Sequence, residues 1–160
     1  VLIYGMLTLG LAMKSSGASS MMAEALSTGA LAYAPQEWRP FLLLAALYLT
    51  TAVLTEILSN NATIVIMAPI SLELASRINL AAEDARAFLI ATCIAASASF
   101  TTPIGYQTNT YVYSVGGYRF SDFVKIGLPL NLLYFVSSVI MIACYWRYPP
   151  FEGGIGSLFQ

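Results

Sequence analysis

Two short polar tracts interrupt long apolar runs in this chain, and they carry the residue types that could bind ions. The first lies in TEILSNNATIVIMAP, Thr55 to Pro69, where Ser59, Asn60 and Asn61 stand between two apolar arms. The second is FTTPIGYQTNT, Phe100 to Thr110, where Pro103 and Gly105 sit among hydroxyl and amide side chains. If the arms are helices, each interruption leaves unpaired carbonyls at the end of one helix and unpaired N–H groups at the start of the next. Carbonyl oxygens coordinate cations, and a helix N-terminus favours an anion. Within a membrane such broken backbone persists only where protein or a water-filled cavity satisfies it, so these tracts mark candidate sites.

Glu56 stands beside the first tract. An ionisable residue in an apolar segment is a functional candidate by default. It could hold a cation or a proton, or it could pair with a polar group on a neighbouring helix in a part of the protein outside this chain. The second role is the one we expect.

The composition says what medium these tracts sit in. With 58% hydrophobic residues, 9% charged residues and a mean hydropathy of +0.74, the 160-residue chain is far more apolar than an average soluble domain and points to a multi-pass membrane protein. Its net charge of −1 provides no basic patch, so nucleic acid is not an expected partner. There is no histidine, which removes histidine-dependent triads and histidine-ligated zinc within the chain. Paired titratable groups are scarce, so we do not expect an enzyme. Cys93 and Cys144 lie inside apolar runs, which suits buried thiols better than a disulfide. The sequence opens at Val1 directly in an apolar run, and we expect it to be a piece of a longer protein.

The elements that must position the tracts follow from the apolar runs. Residues 1–13 read as the end of a transmembrane helix, and residues 14–40 as an interfacial segment and loop with Pro35 and Pro40. Residues 41–76 form a helical hairpin with its tip at 59–61. Its arms, Phe41 to Leu58 and Ala62 to Ser76, would be roughly 27 and 22 Å long as helices. Those lengths fit either a re-entrant hairpin or two full spans. The tip carries no Lys, Arg, Trp or Tyr anchor, which favours the re-entrant form. Glu73 and Arg77 form an i,i+4 pair at the base of the hairpin.

Residues 85–115 read as a transmembrane helix broken by a loop at 100–109. The uncharged run from Ala87 to Tyr118 would be roughly 48 Å as one helix, too long for an untilted span, and Pro103 and Gly105 supply the break. Tyr118 to Lys125 reads as an interfacial turn. Residues 126–147 form the last transmembrane helix, with Tyr145, Trp146 and Arg147 as its anchor.

The two tracts, in this order and at this spacing, resemble the C-terminal repeat of the divalent anion:sodium symporter family, the citrate, dicarboxylate and sulfate transporters. The likeness runs from about Ile3 to Phe151 and rests on TEILSNNATIVIMAP and ASASFTTPIGYQTNTYVYSVGGYRFSDFVKIGLPLNLL. The resemblance implies that Ser59, Asn60 and Asn61, with Tyr106, Gln107, Thr108 and Asn109, bind the anionic substrate. It also implies sodium as the coupling ion, held by Thr55, Leu58, Asn60 and the Gly105 carbonyl. Sodium is a hard cation, and an all-oxygen shell agrees with that. Asn61 stands where the family usually has threonine, and Tyr106, Gln107 and Thr108 stand where dicarboxylate members commonly carry Thr-Pro-Pro. The bulkier, more polar loop is expected to change which anion fits.

The reading is therefore an all-α membrane fold, the C-terminal half of an inverted-repeat secondary transporter with a re-entrant helical hairpin and a broken transmembrane helix. The expected function is sodium-coupled transport of a small divalent anion, sulfate or a di- or tricarboxylate, by alternating access. A homodimer in the plasma (inner) membrane is implied by the resemblance. A sodium/proton antiporter or arsenite permease of the same superfamily, or a non-transporting membrane sensor or scaffold, stays open as an alternative.

Overall fold

Pro40 falls in the first turn of a helix, where its missing N–H costs no hydrogen bond, and the apolar run behind it continues as helix to Thr55. This is α3, Arg39–Thr55, in a computed structural model that describes residues 2–31, 35, 38–78 and 82–146. The described residues form helices and connections only, without a strand. Before α3 come α1, Leu2–Ser15, and α2, Ala18–Leu31; after it come α4, Asn60–Arg77, α5, Ala82–Ala96, α6, Gln107–Gly116, and α7, Phe120–Tyr145.

The core lies where α3, α4 and α5 pack on one another. Leu43, Leu44, Leu47 and Tyr48 of α3 meet Met67, Ile70 and Leu74 of α4 and Phe88, Ala91 and Ala95 of α5, all fully buried. Alanines on α5 let the neighbouring backbones come close, as in tightly packed membrane helices. Helix α7 closes the far side with Val139, Ile142 and Ala143, and Phe135 packs against Tyr48 at 5.3 Å. At the base of the hairpin, Arg77 donates to the carbonyl and hydroxyl of Ser20 at 3.1 and 2.7 Å and lies 3.8 Å from both Glu24 and Glu73. That contact ties α2 to the end of α4.

Several boundaries differ from the sequence expectation, each for a local reason. The segment assigned to an interfacial stretch and loop contains helix from Ala18, which follows Gly17 in the left-handed region at φ 74°. The last helix starts at Phe120 rather than Ile126. The Asp122 carboxylate accepts the Arg119 N–H at 2.9 Å and so caps the helix early. Non-helical backbone at the break ends at Tyr106, which places Gln107, Thr108 and Asn109 in the first turn of α6 rather than in the loop. Arg147 lies outside the described residues. Cys144 is buried, but Cys93 is exposed on the outer side of α5, contrary to the expected buried thiol; its position in the run fixed its polarity environment but not its face.

Among the described residues, α7 is long and apolar enough to cross a membrane, while α3 and Ala85–Ala96 of α5 are shorter apolar helices. Helix α6 has no buried residue, and Tyr111, Val112, Tyr113 and Val115 are exposed along it.

Candidate functional site

The chain breaks twice, and the breaks meet. Helix α3 ends at Thr55 beside the end of α5 at Ala96, and the Thr55 hydroxyl donates to the Ala96 carbonyl. The Asn60 Oδ1 lies 3.0 Å from the same hydroxyl. One hydroxyl proton serves one acceptor at a time, so the Asn60 oxygen keeps lone pairs free. The Thr55 carbonyl accepts from the Ser99 hydroxyl at 3.3 Å, and Gly105 packs directly above it: a Cβ there would collide with the Ser99 hydroxyl and sit 3.1 Å from that carbonyl. Thr55, Asn60 and Gly105 are thus brought together at the negative ends of two helices, α3 and α5.

The positive ends of two other helices meet on the adjoining face. Ser59, in extended conformation, is the N-cap of α4, and its hydroxyl accepts the Ala62 N–H at 3.3 Å. Tyr106 is the N-cap of α6 and gives no side-chain capping bond. The helical ladder leaves the N–H groups of Asn60 and Asn61, and of Gln107, Thr108 and Asn109, without an intrahelical acceptor. Both first turns line one cleft of about 530 Å³, with Ser59, Asn60, Asn61, Ser97, Gly105, Tyr106, Gln107 and Thr110 on its walls and Ile64 and Ile104 at its apolar edge. No charged side chain lines it. The arrangement is a neutral, donor-rich cleft facing two helix N-termini, suited to an anion, beside an oxygen cluster suited to a hard cation.

Not every residue named from the sequence reaches this cleft. Asn109 turns away: its amide donates to the carbonyls of Ser99 and Thr102 at 2.9 and 3.4 Å, so it staples the loop onto α6. Thr108 is exposed and lies off the cleft walls, and so does half-buried Leu58. Ser97 and Thr110 line the cleft without having been expected there. Ser97 lies in the middle of the small-residue stretch AASAS, and Thr110 is one turn beyond Tyr106 and also donates to the Pro103 carbonyl at 2.7 Å.

The Glu56 expectation is corrected in its location. The carboxylate does pair with polar groups, but within this chain rather than outside it. Its oxygens accept the Thr101 and Thr102 backbone N–H groups at 2.9 and 2.8 Å and the Asn131 side-chain amide of α7 at 2.7 Å. The Thr102 hydroxyl returns a bond to the Glu56 carbonyl at 2.8 Å and accepts the Gly105 N–H at 3.2 Å. The loop between α5 and α6, which has no ladder of its own, therefore hangs on side chains from three helices.

Comparison with known proteins places the chain in a family. The citrate transporter family matches residues 1–87 and 39–152. An uncharacterised transporter of Synechocystis is 42% identical over 93% of this chain and 23% of its own length. A Chlamydomonas reinhardtii protein named as a putative sulfur deprivation response regulator is 44% identical over 66% of this chain and 17% of its own length. A probable sodium/sulfate cotransporter of the same alga is 39% identical over 65% of this chain and 11% of its own length. The chain thus spans less than a quarter of the length of each of these relatives. With both broken-helix tracts and most of its length accounted for, the chain is an integral membrane protein segment that belongs to the citrate transporter family, among the divalent anion:sodium symporters.

Proposed function

We propose that this segment forms one half of the substrate path of a sodium-coupled transporter of a small divalent anion. The observation that carries the reading is the meeting of Thr55, Asn60 and Gly105 at two helix C-termini, beside a cleft lined by the first turns of α4 and α6. Sodium binds the oxygen cluster, with the Gly105 carbonyl and the Leu58 carbonyl completing the shell. The anion takes its hydrogen bonds from Ser59, Asn60, Asn61, Gln107 and the free N–H groups of the two helix starts. Thr108 and Asn109 contribute through the backbone rather than the side chain. Because the cleft has no fixed positive charge, sodium supplies the positive charge beside it, which makes anion binding depend on the cation.

The hairpin α3–α4 is re-entrant in this reading, with its tip inside the bilayer and its partner hairpin supplied by an inverted repeat elsewhere in the protein. The exposed apolar surface of α6 and the outer faces of α3 and α7 are covered by lipid and by the rest of a multi-pass, homodimeric transporter in the plasma (inner) membrane. Among anions, the sodium/sulfate relatives favour sulfate over a di- or tricarboxylate.

A second reading, a sensor that binds the anion without moving it, draws support from the relative named for sulfur-deprivation response. Equilibrium binding of labelled sulfate to the purified full-length protein, with sodium varied against potassium, tests the proposal. Binding that rises with sodium supports it; binding that is indifferent to sodium contradicts it. Sodium-dependent binding without uptake into vesicles would select the sensor.

A further inference from the structure

The cluster around Glu56 lies outside the cleft, and its chemistry is not that of a binding site. Both carboxylate oxygens are already occupied by donors: the Thr101 N–H and the Asn131 amide on Oε1, and the Thr102 N–H on Oε2. Oε1 accepts two hydrogen bonds and Oε2 one, so most of the carboxylate's acceptor capacity is spent within the chain. What the cluster does is join three parts of the chain that sequence keeps far apart. Glu56 is the C-cap of α3, at the root of the hairpin tip; Thr101 and Thr102 belong to the non-helical loop; Asn131 stands on α7. Asn131 also donates to the Thr101 hydroxyl at 2.6 Å. One turn before it on α7, Gly127 is packed so closely on the loop that a Cβ would collide with the Phe100 carbonyl and sit 2.6 Å from the Thr101 Cα. One turn after it, Tyr134 meets the Phe100 ring edge to face at 5.7 Å. Helix α7 therefore presents a row, Gly127, Asn131 and Tyr134, against the same two loop residues, Phe100 and Thr101.

We propose that Glu56 is a positioning residue: it latches the hairpin to the unwound loop, with α7 as the strut, and so keeps the Gly105 carbonyl in register with Thr55 and Asn60. The consequence for sodium rests on the transport reading above; the latch itself does not. The connection runs through bonds already described, since Thr102 bonded to Glu56 in turn accepts the Gly105 N–H. Only a carboxylate satisfies all three donors. A glutamine in its place, equal in volume, offers one acceptor oxygen and one donor NH2. If its oxygen faces Thr101, the Thr102 N–H meets a donor; if its oxygen faces Thr102, the Thr101 N–H does. Either orientation orphans one loop amide. Asn131 can accommodate the second orientation by turning its Oδ1, which is buried without a partner among the described residues, toward the new NH2.

The test compares Glu56→Gln, Asn131→Asp and the double variant in the full-length transporter, by hydrogen exchange of the 99–106 segment and by the sodium concentration for half-maximal sulfate uptake. The latch predicts that Glu56→Gln speeds exchange in 99–106 by about tenfold while α5 around Phe88 and Thr92 stays protected. The half-maximal sodium concentration rises by about tenfold, with uptake at saturating sodium kept within about twofold. Asn131→Asp, which sets two carboxylates face to face, does worse than Glu56→Gln. Adding Glu56→Gln to it recovers part of the loss, because Gln NH2 then faces the new acid. Unchanged exchange in 99–106, exchange rising equally across α3 to α7, or strict additivity of the two substitutions would overturn the latch. Should wild type show no sodium dependence, the symport reading fails, and the exchange data still decide the latch.

Discussion

The Thr55 carbonyl oxygen lies 3.1 Å from where a Cβ on Gly105 would stand, so at Gly105 the loop between α5 and α6 approaches the end of α3 backbone to backbone. Only glycine permits that approach. Gly105→Ala is predicted to push the loop off Thr55 and to raise the half-maximal sodium concentration by about tenfold or more, measured as sodium-dependent anion uptake by the full-length protein. Unaltered sodium dependence would remove Gly105 from the cation cluster.

The Thr55 hydroxyl is fully buried and donates to the Ala96 carbonyl at the end of α5. Thr55→Val keeps the shape and strands that carbonyl, at a cost of about 1–3 kcal/mol in stability. Thr55→Ser keeps the hydroxyl and is predicted to retain most of the stability and the sodium response. Thermal unfolding of the purified variants in detergent, with and without sodium, checks both. Equal behaviour of the Val and Ser variants would contradict the role given to the hydroxyl.

Gln107 and Asn109 are two residues apart on α6 and are predicted to fail in opposite ways. Gln107 lines the cleft, whereas Asn109 bonds the loop carbonyls of Ser99 and Thr102. Gln107→Ala should weaken anion binding several-fold with the melting temperature unchanged. Asn109→Ala should cost about 1–2 kcal/mol of stability and disturb binding only through the loop. A binding assay and a melting curve on each variant separate the two roles.

Gly127 is where α7 presses on the loop. Gly127→Ala places a Cβ against the Phe100 carbonyl, a rigid backbone neighbour, and is predicted to destabilise the protein by about 1–3 kcal/mol despite the better helix propensity of alanine. An increase in melting temperature would show that α7 stands off the loop in the assembled protein.

What the sequence made legible was set by local chemistry. Ser-Asn-Asn in one apolar run, and Pro103 with Gly105 in another, cannot continue a helix comfortably, so the two breaks and the residues flanking them could be placed without a structure. Ser59, Asn60, Asn61, Gly105, Tyr106 and Gln107 do share one cleft. What stayed hidden was long-range. The partners of Glu56 lie 45 to 75 residues away, and nothing in the local pattern of Thr101, Thr102 or Asn131 reveals which carboxylate they meet. The start of α6 at Gln107 turned Asn109 away from the cleft, a change of helical phase that composition does not report. The exposure of Cys93 has the same origin: an apolar run shows that a helix is apolar, not which face the neighbours cover.

Uptake of labelled sulfate and succinate into vesicles carrying the full-length transporter, with an inward sodium gradient or with potassium alone, tests the central claim most directly. The account predicts sulfate uptake that requires the sodium gradient and is lost in Asn60→Ala, whose side chain joins the oxygen cluster to the cleft. Uptake of equal size without sodium, or an Asn60→Ala variant that transports like wild type, would contradict it.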